Sequence, residues 1–232
     1  MTHRGEPTQA YDFDEENSNT SANPTFDSVL GARLSRRGLL RGGVATAGTA
    51  VLITLAARLG DPWKVVAFSI YGAMLVLLYA ASTAYHSVRA RKPKAVLQKL
   101  DHCSIYLLIA GSYTPFALVS LRGAWGWSLL GVVWGLAALG VVQEIWLARG
   151  ARILSLVLYV AMGWLALFAL KPMVAQMAMS GLLWLVIGGL SYTLGAVVFM
   201  LDNRVRYAHF VWHLFVLGGS TCHFFAALWH AQ

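Results

Sequence analysis

Three histidines lie in apolar stretches where an imidazole is costly: His86 closes one such stretch, and His209 and His213, four residues apart, open another. Ionisable side chains inside a bilayer tend to face a partner or a cavity and to mark function. Residues four apart on a helix project from one face, so His209 and His213 can approach a single ion together. Ser82 and His86 share that spacing, which sets a hydroxyl one turn from the imidazole. Three neutral imidazoles suit zinc, and three protein ligands leave the fourth tetrahedral position for water, as in catalytic sites. Zinc acidifies such a water; Asp101 is the carboxylate expected to accept its proton, with Ser82 bonding the water or a developing oxyanion. His223, deeper in the stretch that holds His213, is read as a polar group that either supports the ligands or lines the cavity. A haem would need two deep histidines facing each other from separate helices, and no second pair is present.

Positioning these residues requires several helices. The chain has 232 residues, of which 58% are hydrophobic and 12% charged, far more apolar than a soluble domain of this size. A membrane helix needs about 20 mostly apolar residues. The sequence after residue 41 divides into seven such stretches: Gly42 to Ala57, Val65 to His86, Asp101 to Leu121, Ala124 to Trp146, Ile153 to Leu170, Met179 to Leu201 and Tyr207 to Trp229. The predicted fold is all-α, a seven-transmembrane helix bundle over 42–232. Residues 1–41 differ in kind, since six of the ten acidic residues precede Ser28 among Asn, Ser, Thr and Pro. They are expected to form a disordered cytoplasmic tail. Its basic end, Arg33, Arg36, Arg37 and Arg41, reads as a membrane anchor, although the run from Ser35 to Leu40 also resembles a twin-arginine export signal.

Lys and Arg fix the expected orientation. Fourteen fall before the first span or in the second, fourth and sixth loops, against four (Arg58, Lys64, Arg122 and Lys171) on the other side. The crowded side should be cytoplasmic, giving a multi-pass protein of the plasma or inner membrane with its N-terminus inside. His86, Asp101, His209 and His213 then all come out at one depth near the inner face, which a shared site requires. The net charge of +8 follows from this topology and from contact with anionic membrane lipids, and calls for no nucleic-acid partner. Cys103 and Cys222 sit at depths differing by about 22 Å and should not bridge.

Other positions carry blander expectations. Asp101, Ser104, Leu108, Ser112 and Pro115 share one partly polar face, expected to turn inward and line a cavity, with Pro115 kinking the helix. His102 points about 100° from Asp101 and is expected to touch headgroups or a loop. Glu144, near the end of its span, is expected to be solvated. Trp125 or Trp127, Trp146, Trp212 and Trp229 read as interfacial aromatics. Gly111, Gly131, Gly135, Gly188, Gly189, Gly218 and Gly219 read as close helix contacts.

Three segments carry a resemblance. Ser82 with His86, the stretch LDHCSIYLLIAGSYTPF from Leu100 to Phe116, and HFVWH from His209 through GGSTCHF ending at Phe224 together resemble the bacterial haemolysin III family, which is similar to the progestin and adipoQ receptors. The resemblance runs from about residue 62 to the end. It implies a seven-helix bundle with zinc on His86, His209 and His213, with Asp101 and Ser82 at the positions associated with the water, and kinship with ceramidase-like hydrolases. The region before the first helix departs from the pattern, having Ser35, Arg36 and Arg37 where an acidic pair and a His-Gly are expected. The function so implied is zinc-dependent hydrolysis of a lipid amide or ester. The alternative is a non-enzymatic sensor or regulator of the membrane in which zinc is structural. The cytolytic activity in the family's name has against it the short loops and the absence of a charged lumen.

Overall fold

In a computed structural model of the chain, residues 43–88, 90–146, 152–201, 204–205 and 207–230 are described; the tail over 1–41 and its twin-arginine-like run lie outside them. The helices are α1 (Gly43–Arg58), α2 (Pro62–Ser87), α3 (Arg91–Pro115), α4 (Ala124–Trp146), α5 (Arg152–Gly163), α6 (Leu170–Gln176), α7 (Met179–Met200) and α8 (Ala208–His230). No strand occurs among the described residues. Six helical stretches are long and apolar enough to cross a membrane, and α1 is a shorter apolar helix beside them. The chain is an all-α, multi-pass membrane protein.

Local chemistry sets the helix ends. Asp61 caps α2: its side chain accepts from the Trp63 N–H at 2.9 Å, and Pro62, which has no N–H to satisfy, takes the first helical position. The Asp61 carboxylate also pairs with Arg122, tying the start of α2 to the turn before α4. Gly60 and Gly123 occupy those two turns at φ of 68° and 116°, a region that a side chain would strain.

Two spans differ from expectation. The third begins at Arg91 rather than Asp101, because Lys92, Lys94, Lys99 and their neighbours continue the helix beyond the apolar stretch. Lys and Gln are good helix formers, and hydropathy does not register them. The connection between α2 and α3 is therefore short. Past Pro115 the chain does not simply kink but widens into a π-helical turn over Phe116–Ser120, with the Leu121 N–H donating to the Phe116 carbonyl at 2.8 Å. The fifth span is interrupted, with a 3-10 turn at Leu165–Ala169 between α5 and α6.

The core lies around α3. In its most apolar window 72% of residues are buried, against 22% for α4, α7 and α8, so α3 runs through the bundle while those helices leave a face outward. α2 packs chiefly on α3, and α7 on α8. Small residues permit the second contact: a Cβ at Gly188 would meet His223, one at Gly195 would meet Phe215, and one at Gly219 would meet Tyr192. Gly111 lies against Met74, and Gly218 against Ser191. Gly131, Gly135 and Gly189 have no such neighbour within 4 Å, which corrects the expectation that all seven glycines mark close packing.

Candidate metal centre

Two helices bring the predicted ligands together. α2 presents His86 on its last turn, and α8 presents His209 and His213 on its first two. A nitrogen from each of the three can be chosen so that all lie within 4.8 Å of one another. The His86 ring centroid is 5.5 Å from those of both His209 and His213. The Nε2 atoms of His209 and His213 are 3.2 Å apart. Two nitrogens on a tetrahedral zinc at about 2.0–2.1 Å are separated by about 3.3 Å, so the His209–His213 pair has the spacing of two ligands on one such ion, and His86 lies within reach of both. His86 is exposed and the other two are half-buried, which leaves the cluster accessible from one side.

Asp101 lies beside the cluster, ten residues into α3. Its carboxylate accepts a hydrogen bond from the Ser82 hydroxyl and is close enough to His209 to interact electrostatically. Ser82, one turn before His86 on α2, thus bridges the ligand-bearing helix to the carboxylate. The inward face predicted on α3 is buried at Ser104, Leu108 and Ser112. Its hydroxyls turn back on the helix, Ser104 donating to the Asp101 carbonyl and Ser112 to the Ile109 carbonyl. Serines on a helix often satisfy themselves in this way.

Aromatic rings frame the histidines. Tyr85 packs on His86 with centroids 4.7 Å apart and carries Lys94 over its own ring. Phe199, at the end of α7, stands 6.0 Å from His209 and 5.1 Å from Trp212. Sequence reasoning passed over both, since neither residue type distinguishes a site wall from ordinary packing.

Three expectations change. His223 does not join the histidines. It lies ten residues past His213, about 15 Å along the helix, where its Nδ1 donates to the Gly219 carbonyl at 2.9 Å and its ring fills the space left by Gly188. His102 and Glu144 are partners: His102 Nδ1 is 2.7 Å from Glu144 Oε1, and Glu144 is only 4% exposed. Ser155 of α5 donates to Glu144 Oε2 at 2.9 Å, and the Tyr159 hydroxyl donates to the His102 carbonyl at 3.1 Å. The face of α3 that carries His102 meets α4 and α5 rather than headgroups. Cys103 and Cys222 are free thiols, as expected.

A multi-pass helical membrane protein with three histidines and a carboxylate gathered at one end of the bundle is the class that fold and site define. The chain belongs to the haemolysin-III related family, whose model matches residues 40–224. It is 42% identical over 179 residues to the hemolysin-3 homolog of Bacillus subtilis (strain 168), covering 77% of this chain and 84% of that one. It is also 42% identical to hemolysin-3 of Bacillus cereus over 180 residues, 78% and 82% of the two chains. Similarity extends to the human monocyte to macrophage differentiation factor at 31% identity over 192 residues, 78% and 76% of the two chains. No solved structure matches the chain.

Proposed function

We propose that this protein is a zinc-dependent membrane hydrolase acting on a lipid amide or ester, with His86, His209 and His213 holding the metal. The observation that carries the reading is the convergence of three imidazoles from two helices beside a carboxylate on a third. Zinc supplies a Lewis acid that acidifies a water near neutral pH and polarises a carbonyl. Asp101 is the base: a carboxylate oxygen takes the proton of the attacking water and later returns one to the leaving amine or alcohol. Ser82, hydrogen-bonded to that carboxylate, holds it in orientation. Water adds to the carbonyl carbon, the bond to nitrogen or oxygen breaks, and a carboxylic acid and an amine or alcohol leave.

The test is release of fatty acid from N-acyl and O-acyl lipids by purified protein in bilayer nanodiscs, with and without chelator. Release that is lost on chelation and restored by zinc supports the reading; the same background release from wild type and the His209→Ala, His213→Ala variant removes it. The second reading, a sensor or regulator with structural zinc, has one observation in its favour: the histidines join the end of α2 to the start of α8, where an ion would tie two helix ends together.

The lysines and arginines further favour an N-terminus in the cytoplasm and the histidines near the inner face. A cysteine placed at Lys94 should resist an impermeant thiol reagent in intact cells, and one at the exposed Leu59 should react. The reverse pattern would invert the topology.

A further inference from the structure

Arg58 and Lys64 converge on an apolar cavity at the end of the bundle opposite the histidines. It has a volume of about 240 Å³ and is walled by Leu55 and Ala56 of α1, Phe68 of α2 and Leu228 of α8, with the two cations on its lining. Lys64 and His86 are both on α2, 22 residues apart, which is about 33 Å at the helical rise. That matches the roughly 30 Å hydrocarbon thickness of a bilayer, so the cavity opens at the other membrane surface and is distinct from the histidine cluster.

Charge at this end is unbalanced in a particular place. Asp61 is committed to Arg122 and to capping α2. Among the described residues no carboxylate pairs with Arg58 or Lys64. An arginine fork and a lysine beside one another suit a phosphate, the first by paired N–H donors and the second as a point charge. Behind them Ala56 and Phe68 are buried, so the wall is hydrocarbon. Leu55, 41% exposed on the outer face of α1, leaves the cavity approachable from the bilayer. The volume lies below the range of about 300–1,000 Å³ usual for pockets that enclose a whole ligand, and so suits a segment of chain.

We propose that this cavity binds an anionic membrane phospholipid, its headgroup phosphate between Arg58 and Lys64 and the first part of one acyl chain against Ala56, Phe68 and Leu228. A soluble phosphate would leave the hydrocarbon wall unused, and a zwitterionic lipid would leave net positive charge. The site depends neither on zinc at the histidines nor on which end of the bundle faces the cytoplasm.

Native mass spectrometry of the full chain in detergent, with phosphatidylglycerol and phosphatidylcholine of identical acyl chains, is the test. Wild type should retain phosphatidylglycerol preferentially. Arg58→Gln with Lys64→Gln should reduce that retention on the order of tenfold, from the loss of two interfacial cations, and lower phosphatidylcholine much less, because choline already balances its phosphate. Lys171→Gln, a cation elsewhere on that side, should keep the preference. Leu228→Trp, which fills the cavity with both charges intact, should also lower retention, and this arm stands if the charge variant does not fold. The proposal is overturned if both variants retain phosphatidylglycerol as wild type does. It is equally overturned if Lys171→Gln loses as much as the charge variant, or if inorganic phosphate binds as tightly as the lipid.

Discussion

His209 and His213 place their Nε2 atoms 3.2 Å apart across one turn of α8. At that separation the two nitrogens either share one hydrogen or share one cation, and His86 closes the third corner. Wild-type protein should therefore carry about one zinc per chain by elemental analysis after purification without chelator. The double variant His209→Ala, His213→Ala should carry none. Stoichiometric zinc in the double variant would disprove the ligand assignment.

Glu144 is the second expected point of sensitivity, being buried and bonded to both His102 and Ser155. Glu144→Ala would leave the His102 Nδ1 without its acceptor and the Ser155 hydroxyl with only the longer bond to Gln143 Oε1 at 3.3 Å, a loss of about 1–3 kcal/mol. Glu144→Gln keeps one acceptor oxygen and should cost less. Thermal unfolding in detergent should rank wild type above Glu144→Gln and that above Glu144→Ala. Equal midpoints for all three would mean that the network contributes nothing to stability.

Glycines on α4 give opposite expectations from one residue type. A Cβ on Gly140 would lie 2.3 Å from the Tyr106 ring, and Tyr106 is fully buried and bonded through its hydroxyl to Gln143. Gly140→Ala should cost about 1–3 kcal/mol by overpacking. At Gly131 nothing lies within 4 Å. There the same change should be neutral or stabilising by up to about 1 kcal/mol, since alanine is the better helix former. The measurement is again thermal unfolding, and equal effects at the two positions would contradict the packing described.

That contrast bears on what could be read without coordinates. The histidine cluster was legible because depth and helical spacing are both carried by sequence: His86, His209 and His213 needed only the order and direction of the spans. The partner of Glu144 was not. Whether a carboxylate near a helix end meets water or a neighbouring helix depends on rotation about the helix axis, and the all-round hydrophobicity of α4 gives no apolar stripe from which to fix that rotation. The same reason hides which glycines touch a neighbour. The helical run from Arg91 to Leu100 escaped because apolarity sets where a span lies in the membrane, whereas helix propensity sets where the helix ends. What the depth of His223 could not tell was its partner: the ring turns back to the Gly219 carbonyl and fills the space beside Gly188.

Asp101 decides between the two functional readings. Its carboxylate accepts from Ser82 and lies within electrostatic reach of His209. Asp101→Asn keeps the size of the side chain and one acceptor oxygen while removing the proton acceptor. If Asp101 is the base, lipid hydrolysis should fall by about 10² to 10⁴, with zinc content and melting temperature near those of wild type. Ser82→Ala, which frees the carboxylate from its hydroxyl partner, should lower activity less. If the metal is structural, Asp101→Asn should instead weaken zinc binding by roughly 10- to 100-fold, as loss of a supporting partner does, or lower stability, and a deletion strain should still be complemented. Zinc content, melting temperature and complementation measured on one preparation series separate these outcomes. Full complementation with zinc retained would eliminate the hydrolase, because a carboxylate that no proton transfer needs cannot be its base.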